Sequence, residues 1–254
     1  MYIDSHCHFD FTEFDVHRER IWRNCQALGV RQLVIPGVNP AQWQHAATMS
    51  SSFTGIYFGV GLHPWWGNEC VSNEELFSQL ISAAEQTGCV AIGECGLDAF
   101  IDIPMLKQQA ILEVHLRAAI AAQLPVIIHC RNAHTELLLA VKKYKLKKGG
   151  VIHAFSGSLQ LAQQYWALGF YLGIGGTITY ARANKTRTAV AQLPLAALVL
   201  ETDAPDMPLS GKQGSPNSPE SIPLIAQVLA ELRGESIEKI ATQTTQNARA
   251  LFGI

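Results

Sequence analysis

Short runs of apolar residues recur along the chain, with helix-like stretches between them. The runs are rich in Val and Ile and are continuously apolar, which is typical of parallel strands that are covered on their outer face. Eight such runs are present, at residues 2–5, 32–38, 56–62, 89–94, 125–130, 150–155, 170–174 and 197–202. Eight strand-and-helix units in 254 residues predict an α/β fold of the (β/α)8 TIM-barrel type. An open doubly wound sheet is the weaker alternative, because no Gly-x-Gly-x-x-Gly turn follows the first run.

The stretches between the runs carry signals for helix starts and ends. Asn39-Pro40 and Ile103-Pro104 put proline at an opening turn, and Ser72 with Glu75 forms a capping box. Glycine stands just before the next strand, where a left-handed C-terminal cap is expected, at Gly29, Gly88, Gly149 and Gly169. Two amphipathic helices, 221–233 and 237–252, end the chain after a long loop at 206–223. We expect one domain over residues 1–254.

Composition narrows the class of protein. With 48% hydrophobic residues the chain can bury a large core, and its formal net charge of -2 gives no global basic field for binding nucleic acid. Six cysteines without a Cys-x-x-Cys spacing favour reduced thiols. The N-terminus has no leader pattern, and no apolar run is long enough to span a membrane. These features predict a cytoplasmic protein, with a monomer as the default.

His6 and His8 stand two residues apart at the end of the first run. Side chains at i and i+2 of a strand leave on the same face, so two imidazoles can reach one point while Cys7 faces the outer packing layer. A short His-x-His pattern also arises in ordinary loops, so the pair alone does not decide between a metal site and polar loop residues.

Polar residues at the other strand ends supply the rest of a metal site. The active site of such a barrel lies at the C-terminal ends of its strands. Six candidate ligands fall there: His6, His8, Glu94, His129, His153 and Asp203. This is more than one catalytic zinc uses, which predicts two divalent ions, Zn, Mn or Mg. Glu94 is the natural bridge, with His6, His8 and Asp203 on one ion and His129 and His153 on the other.

Two ions at such a site predict hydrolysis by an activated water. Asp203 is the candidate base, because a terminal carboxylate ligand keeps one oxygen free to accept a proton; a purely structural ligand role is the alternative. His63 and Arg131 are candidate substrate contacts, and Asp98 could support a ligand histidine. The cations after strand seven could bind phosphate or be solvated loop charges: Arg182, Lys185 and Arg187. The basic run 142–148 ends a helix and is expected at the opposite face of the barrel.

The chain resembles the TatD family of metal-dependent hydrolases, within the amidohydrolase-like barrels. The resemblance spans the chain and is carried by these segments: Asp4-Ser5-His6-Cys7-His8, Gly61-Leu62-His63-Pro64, Gly93-Glu94-Cys95-Gly96-Leu97-Asp98, 124–129, 153–157 and Glu201-Thr202-Asp203-Ala204-Pro205. The segment 201–209, with 175–180, looks most like the YjjV branch. The family metal positions fall on the same six residues. The resemblance also implies DNA as the substrate and attack at its 3′ end. Ala99 and Leu112 depart from the family pattern without touching a ligand.

Three classes of function follow from these residues. The first is a two-metal phosphodiesterase acting on DNA or a small phosphodiester, with no obligate protein partner. The second is a hydrolase of small amides, esters or lactones on the same barrel, and the third is a noncatalytic binding protein with an empty site. The anion contacts separate the first two, because phosphate chemistry needs cations that face the metals.

Overall fold

The computed structural model describes residues 1–70 and 72–254. The strands, labelled β1 to β8, are Tyr2–Asp4, Val30–Ile35, Ile56–Val60, Cys89–Asp98, Val126–Arg131, Gly150–Ile152, Phe170–Ile174 and Leu198–Leu200. The α-helices, labelled α1 to α9, are Arg18–Ala27, Pro40–Ser52, Asn73–Ala84, Met105–Ala122, His134–Tyr144, Leu159–Ala167, Asn184–Gln192, Ile222–Arg233 and Ile237–Phe252. Short 3-10 helices lie in the connections, among them Pro64–Glu69 after β3.

The strands pair in chain order, β1 to β8, and every pairing is parallel. The two edges meet as well, because the Ser5 backbone N–H donates to the Leu200 carbonyl at 2.9 Å. Each strand is followed by a helix that packs outside, as parallel connections require. The architecture is therefore the predicted TIM barrel, which confirms the fold class and leaves the open sheet without support.

Two apolar layers hold this barrel together. The larger layer lies between the strands and the surrounding helices, and Cys7, Cys95 and Phe58 belong to it. The smaller layer fills the barrel interior with residues such as Ile3, Val34, Ile127, Val151 and Val199. Leu251 and Phe252 of α9 join this inner layer, and they close the barrel at the end where the strands begin.

Most of the predicted helix signals are present, although the Glu75 carboxylate accepts from the Gln79 side chain and Pro104 stands just before α4. Side-chain oxygens of the predicted Asn39 and Ser72 accept from backbone N–H groups of the first turns of α2 and α3, and Ser158 caps α6 in the same way. All four predicted glycines take positive φ; Gly88, at +91°, is one that an L side chain would resist. The two C-terminal helices begin and end within one residue of their predicted bounds.

Several strands, β1 and β4 among them, end at different residues from the predicted apolar runs, and these two ends lie at the site. β1 ends at Asp4, so His6 and His8 follow the strand instead of lying in it. The chain there is still held in place, since Asp203 N–H donates to the His6 carbonyl and His8 N–H to the Ala204 carbonyl, both at 2.8 Å. β4 runs on to Asp98, because Asp98 still pairs with Arg131 of β5.

The basic run 142–148 begins at the end of α5 and leads into β6. It therefore lies at the end of the barrel where strands begin, away from His129 at the other end of β5. Within residues 1–70 and 72–254, none of the helices combines the length and the apolar character that crossing a bilayer requires.

Candidate metal centre

The six residues predicted as metal ligands come together at the C-terminal ends of the strands. They form overlapping groups in which the ligand atoms lie within 4.8 Å of one another: His6 with His8 and Asp203, and His6 with Glu94 and His153. A third group contains His63, Glu94 and His129. The rings of His6 and His153 are stacked, with centroids 4.0 Å apart. Residues from five strand ends therefore converge on one small volume.

Glu94 lies at the centre of the cluster, and its two oxygens face different neighbours. Oε2 is 3.2 Å from His6 Nε2 and 3.8 Å from His8 Nε2. Oε1 is 2.8 Å from His153 Nε2 and 3.2 Å from His129 Nδ1. One carboxylate thus serves both sides of the cluster, which is the arrangement a bridging ligand needs.

Asp203 completes the side that contains the His6 and His8 pair. Its Oδ1 is 3.3 Å from His6 Nε2 and 3.5 Å from His8 Nε2. The side chain keeps 14% of its surface exposed, whereas Glu94 keeps 2%. Asp203 is therefore the carboxylate of the cluster that solvent in the cavity can reach.

A buried carboxylate beneath the cluster joins the chain before His6 to the chain before Asp203. Asp4 accepts from the Thr202 hydroxyl at 2.6 Å, from the Thr202 N–H at 3.0 Å and from the His6 N–H at 3.2 Å. Burial raises the pKa of Asp4 to about 7, although these hydrogen bonds act in the opposite direction. The seam between β1 and β8 is thus fixed by a side chain as well as by the backbone.

A close approach of backbones places Glu94. A Cβ on Gly61 would lie 2.6 Å from the Glu94 carbonyl oxygen, which real side chains do not allow. The Glu94 N–H donates to the Gly37 carbonyl at 2.7 Å. Glycine at the ends of β2 and β3 therefore lets the segment that carries Glu94 pack against them.

The donor set fits divalent metal ions. Both ring nitrogens of His6 are buried without a hydrogen-bond partner among the described residues, as are His8 Nδ1 and His153 Nδ1. His6 Nε2 nevertheless lies 3.2 Å from Glu94 Oε2 and 3.3 Å from Asp203 Oδ1, so these three atoms face one shared point. Ligands at 2.0–2.1 Å from a tetrahedral ion are about 3.3 Å apart, and the separations of 3.2, 3.3 and 3.5 Å match this spacing.

The electrostatics of the cluster favour cations. Burial alone would raise the pKa values of Glu94 and Asp203, but the surrounding imidazoles hold both well below the usual range of a carboxyl. Burial lowers the pKa of His153 to about 4, despite the nearby Glu94, so this imidazole is neutral at pH 7. The ionised carboxylates and the neutral His153 are in the protonation states that metal ligation requires. The same carboxylates raise the pKa values of His6 and His129, so binding of a metal at these two imidazoles would release protons.

His63, predicted as a substrate contact, lies inside the cluster. Its Nε2 is 3.3 Å from Glu94 Oε1, and its Nδ1 accepts from the Trp65 backbone N–H at 3.2 Å. A neutral imidazole that accepts at Nδ1 carries its proton at Nε2 and so cannot offer Nε2 to a metal. The hydrogen bonds therefore favour His63 as a hydrogen-bond donor through Nε2, although its position also matches that of a metal ligand.

The predicted cations behave differently from one another. Arg131 lines the cavity above the cluster and stacks its guanidinium over the Phe100 ring, 4.5 Å from the centroid. Among the described residues, those lining the cavity do not include Arg182, Lys185 or Arg187. Arg187 instead donates to the Ile178 carbonyl. The structure thus brings Arg131 to the site and leaves the cations after β7 outside it.

Asp98 lies beside a predicted ligand, as expected. Its Oδ2 is 3.5 Å from His129 Nε2 and accepts from the Trp65 indole N–H at 3.0 Å. At this distance the carboxylate faces the far nitrogen of the ligand histidine without a hydrogen bond, and it would fix the ring and its tautomer if the two moved closer. Asp98 therefore connects the cluster to the wall of the cavity.

The cluster forms the floor of a cavity of about 460 Å³. This volume falls within the ~300–1,000 Å³ of typical small-molecule sites. Besides the candidate ligands, its lining includes aromatic and apolar side chains that the sequence analysis did not single out: Phe11, Val38, Trp65, Trp66 and Met207.

The sequence analysis also missed three buried polar side chains around the site. Glu201, fully buried, is two residues before Asp203, and the same i, i+2 rule that joined His6 to His8 could have found it. Asp4 has the same relation to His6. His115, fully buried in α4, is the third: its Nε2 accepts from the Leu62 N–H at 2.9 Å, just before His63. No local sequence signal connects a histidine in α4 to that turn.

Comparison with known proteins places this geometry in a family. The family described as TatD related DNase matches residues 3–253. The Escherichia coli K12 protein YjjV, described as an uncharacterized metal-dependent hydrolase, is 41% identical and is covered over 98% of its length by the whole chain. The crystal structure of YjjV, a TatD homologue, superposes with a TM-score of 0.95, covering 100% of this chain and 98% of that one. The Pantoea vagans 3′-5′ ssDNA/RNA exonuclease TatD is 33% identical, with 95% of both chains covered.

The barrel and its His, Glu and Asp cluster thus define the class as a metal-dependent hydrolase. The chain belongs to the TatD related DNase family, which confirms the resemblance drawn from its motifs.

Proposed function

We propose that this protein is a divalent-metal-dependent deoxyribonuclease that removes nucleotides from the 3′ end of a DNA strand. The observation that carries the proposal is Glu94, whose two oxygens face two sets of imidazoles. The name of the P. vagans relative, a 3′-5′ exonuclease, supports the direction of attack. The matching family, described as DNases, supports the substrate.

The proposed cofactor is a pair of divalent ions, Zn, Mn or Mg. His6, His8 and Asp203 would hold one ion, His129 and His153 the other, and Glu94 would contact both. When bound, such ions lower the pKa of a water and neutralise charge on a phosphodiester. The mixed nitrogen and oxygen donors suit these metals, and Cys7, Cys95 and Cys130 each stand beside a ligand without joining the candidate groups.

Asp203 is the proposed general base. Its Oδ1 is occupied by the His6 and His8 side, which leaves Oδ2 to take the proton of an attacking water. Its partial exposure to the cavity supports this role, since a base must reach the water it deprotonates. The low pKa of Asp203 keeps its carboxylate ionised at neutral pH, which a metal ligand and a base both need.

His63 and Arg131 are the proposed contacts of the phosphate. His63 would donate from Nε2, and Arg131 would offer its guanidinium from the rim, where Phe100 supports it. Of the predicted phosphate contacts in the described part of the chain, only the neutral His63 and the cation Arg131 line the cavity. A small number of local cations on a protein of net charge -2 suits a strand end or a small phosphodiester better than a long duplex.

The remaining proposals concern the whole protein. We propose that residues 1–254 act as one catalytic unit and as a monomer. All six cysteines are free thiols, which supports a reducing compartment, the cytoplasm.

The test combines metal analysis with an assay. Purified protein is dialysed against Mg, Mn or Zn, its bound metal is measured, and it is given 5′-labelled single-stranded DNA and a model phosphodiester. We expect about two ions per chain and stepwise shortening from the 3′ end. His6→Ala and Asp203→Asn should both abolish hydrolysis, whereas the exposed Asp102→Asn should not.

Two results would count against the proposal. Unchanged hydrolysis in both site variants would remove the mechanism. Cleavage of esters or lactones without cleavage of phosphodiesters would favour the second candidate, a hydrolase of small amides, esters or lactones, which the cavity volume also accommodates.

A further inference from the structure

One wall of the cavity is formed by a turn with two tryptophans, to which the sequence analysis assigned no role. The 3-10 helix Pro64–Glu69 follows β3 and carries Trp65 and Trp66 side by side, with ring centroids 6.3 Å apart. Both line the cavity above the cluster. Trp65 leaves 55% of its surface exposed, which is unusual for the largest apolar side chain in a folded protein.

Trp65 is exposed but held in place. Its indole N–H donates to Asp98 Oδ2 at 3.0 Å, and the same carboxylate accepts from the Phe100 N–H through Oδ1 at 2.8 Å. Its backbone N–H donates to His63 Nδ1, and the two rings meet edge to face at 5.2 Å. A ring anchored at both its backbone and its indole nitrogen loses little conformational entropy when a ligand packs on it.

We propose that Trp65 is the stacking platform for the terminal nucleobase of the DNA strand. This inference rests on the proposed function and adds to it the group that recognises the substrate. Base stacking on an aromatic side chain is tolerant of sequence, because every base has a π-face. A platform beside the cluster places the base of the last nucleotide next to its phosphodiester.

The surroundings of Trp65 suit a nucleotide more than a simple ester. The exposed ring lies in the same cavity as Arg131, so an aromatic surface and a cation are offered together. A nucleotide presents a flat base and an anionic phosphate to match them. An aliphatic ester or lactone has neither group and would leave the indole face in water.

The test uses two strands that differ only at the 3′-terminal residue. One ends in thymidine and the other in an abasic tetrahydrofuran residue, which keeps the phosphates and removes the base. For the wild-type protein we expect a kcat/KM roughly 5- to 140-fold higher on the thymidine end, equivalent to stacking worth ~1–3 kcal/mol. Trp65→Ala should bring this ratio close to one, and Trp65→Phe should keep much of it.

The ratio separates recognition from folding, since a merely structural role of Trp65 would lower both rates together. Leu106→Ala, an exposed apolar residue of α4 that does not line the cavity, is the matched control and should leave the ratio unchanged. An unchanged ratio in Trp65→Ala, or a wild-type ratio near one, would overturn the inference while leaving the nuclease function intact.

If the wild-type protein cleaves neither strand, the proposed function fails. The inference is then tested by adding thymidine 5′-monophosphate and measuring the quenching of tryptophan fluorescence. Quenching in the wild-type protein that is lost in Trp65→Phe would show that Trp65 still receives a base, and equal quenching in both would overturn the inference.

Discussion

Glu201 accepts a hydrogen bond from the backbone N–H of Ala154 at 2.5 Å, and this contact ties the end of β8 to the residue that follows His153. Ala154 has a positive φ of 45°, a conformation that alanine adopts only when its surroundings impose it. Glycine makes room for the carboxyl, because a Cβ on Gly173 would lie 2.0 Å from Glu201 Oε2. Glu201 therefore positions a candidate ligand that follows β6, two strands away in the barrel.

Replacing Glu201 tests this contact. Burial raises the pKa of Glu201 to about 8, so the carboxyl is protonated at pH 7 in the metal-free protein and glutamine is its closest match. We expect Glu201→Gln to keep most of the metal affinity. Glu201→Ala removes the acceptor and should lower metal affinity ~10–100-fold, as loss of a residue that supports a ligand does. Isothermal titration with Zn or Mn measures the difference, and equal affinities in the two variants would contradict the role.

Glu94→Gln tests whether one carboxylate serves two ions. The amide keeps the shape but offers a single neutral oxygen, so at least one ion should be lost. Activity should fall by more than the ~10–100-fold typical of residues that only support a ligand. Metal content after dialysis gives the stoichiometry. Glu113→Gln, on the exposed pair with Lys143, serves as the control, and two retained ions in Glu94→Gln would refute the bridge.

Metal binding should stabilise the folded protein. The cluster exists only in the folded chain, so a free metal concentration 100-fold above the dissociation constant adds about 2.7 kcal/mol to the free energy of unfolding. For a chain of this size that corresponds to a rise in Tm of about 5–11 °C. Differential scanning fluorimetry with and without a chelator measures it. His6→Ala should lose most of the rise, and a full rise in this variant would place the metal elsewhere.

The buried His115 makes stability depend on pH. Burial lowers its pKa from 6.5 to about 4, so between these values the unfolded chain binds a proton that the folded chain does not. The free energy of unfolding therefore falls as the pH drops from 6.5 to 4, by an amount on the order of 3 kcal/mol from this residue.

His115→Gln removes this contribution while its side-chain oxygen can still accept from the Leu62 N–H. Urea titrations at pH 7 and pH 4.5 should give a smaller difference for the variant than for the wild-type protein. The exposed His17→Gln is the control. The same pH dependence in His115→Gln and the wild-type protein would show that other groups cause the acid loss.

A substitution at Cys7 tests whether its thiol packs in the outer layer or binds a metal. It is fully buried in the outer apolar layer, and its Sγ donates to the Ala204 carbonyl at 3.7 Å. Cys7→Ala should lower the free energy of unfolding by about 1–2 kcal/mol through lost packing and should leave the metal content unchanged. Loss of an ion in Cys7→Ala would mean that the thiol contributes to the centre.

The fold could be predicted from the sequence because the signals for its strands and helices are local. Eight Val- and Ile-rich runs, capped helices and glycines at positive φ such as Gly88 and Gly149 each act over a few residues. The precise strand ends were not accessible in this way. β1 stops at Asp4 because the next residues bond to the loop after β8, nearly 200 residues further along the chain.

The site could be predicted from the sequence as far as the order of the strands determines it. Parallel strands in a barrel bring their C-terminal ends together, so His129 and His153 could be placed beside Glu94 without coordinates. The supporting groups could not all be found. Trp65 and His115 act through contacts to Asp98 and Leu62 that depend on how a turn and a helix pack, and the sequence alone does not encode their distance.

The plug that Leu251 and Phe252 form at the bottom of the barrel has a kinetic consequence. With the interior filled, the barrel is a packed core and not a pore, so reactants cannot pass through it. Substrate and product must use the same mouth. A released nucleotide therefore competes with the next strand end for one opening, which predicts competitive product inhibition and a turnover rate that product departure can limit.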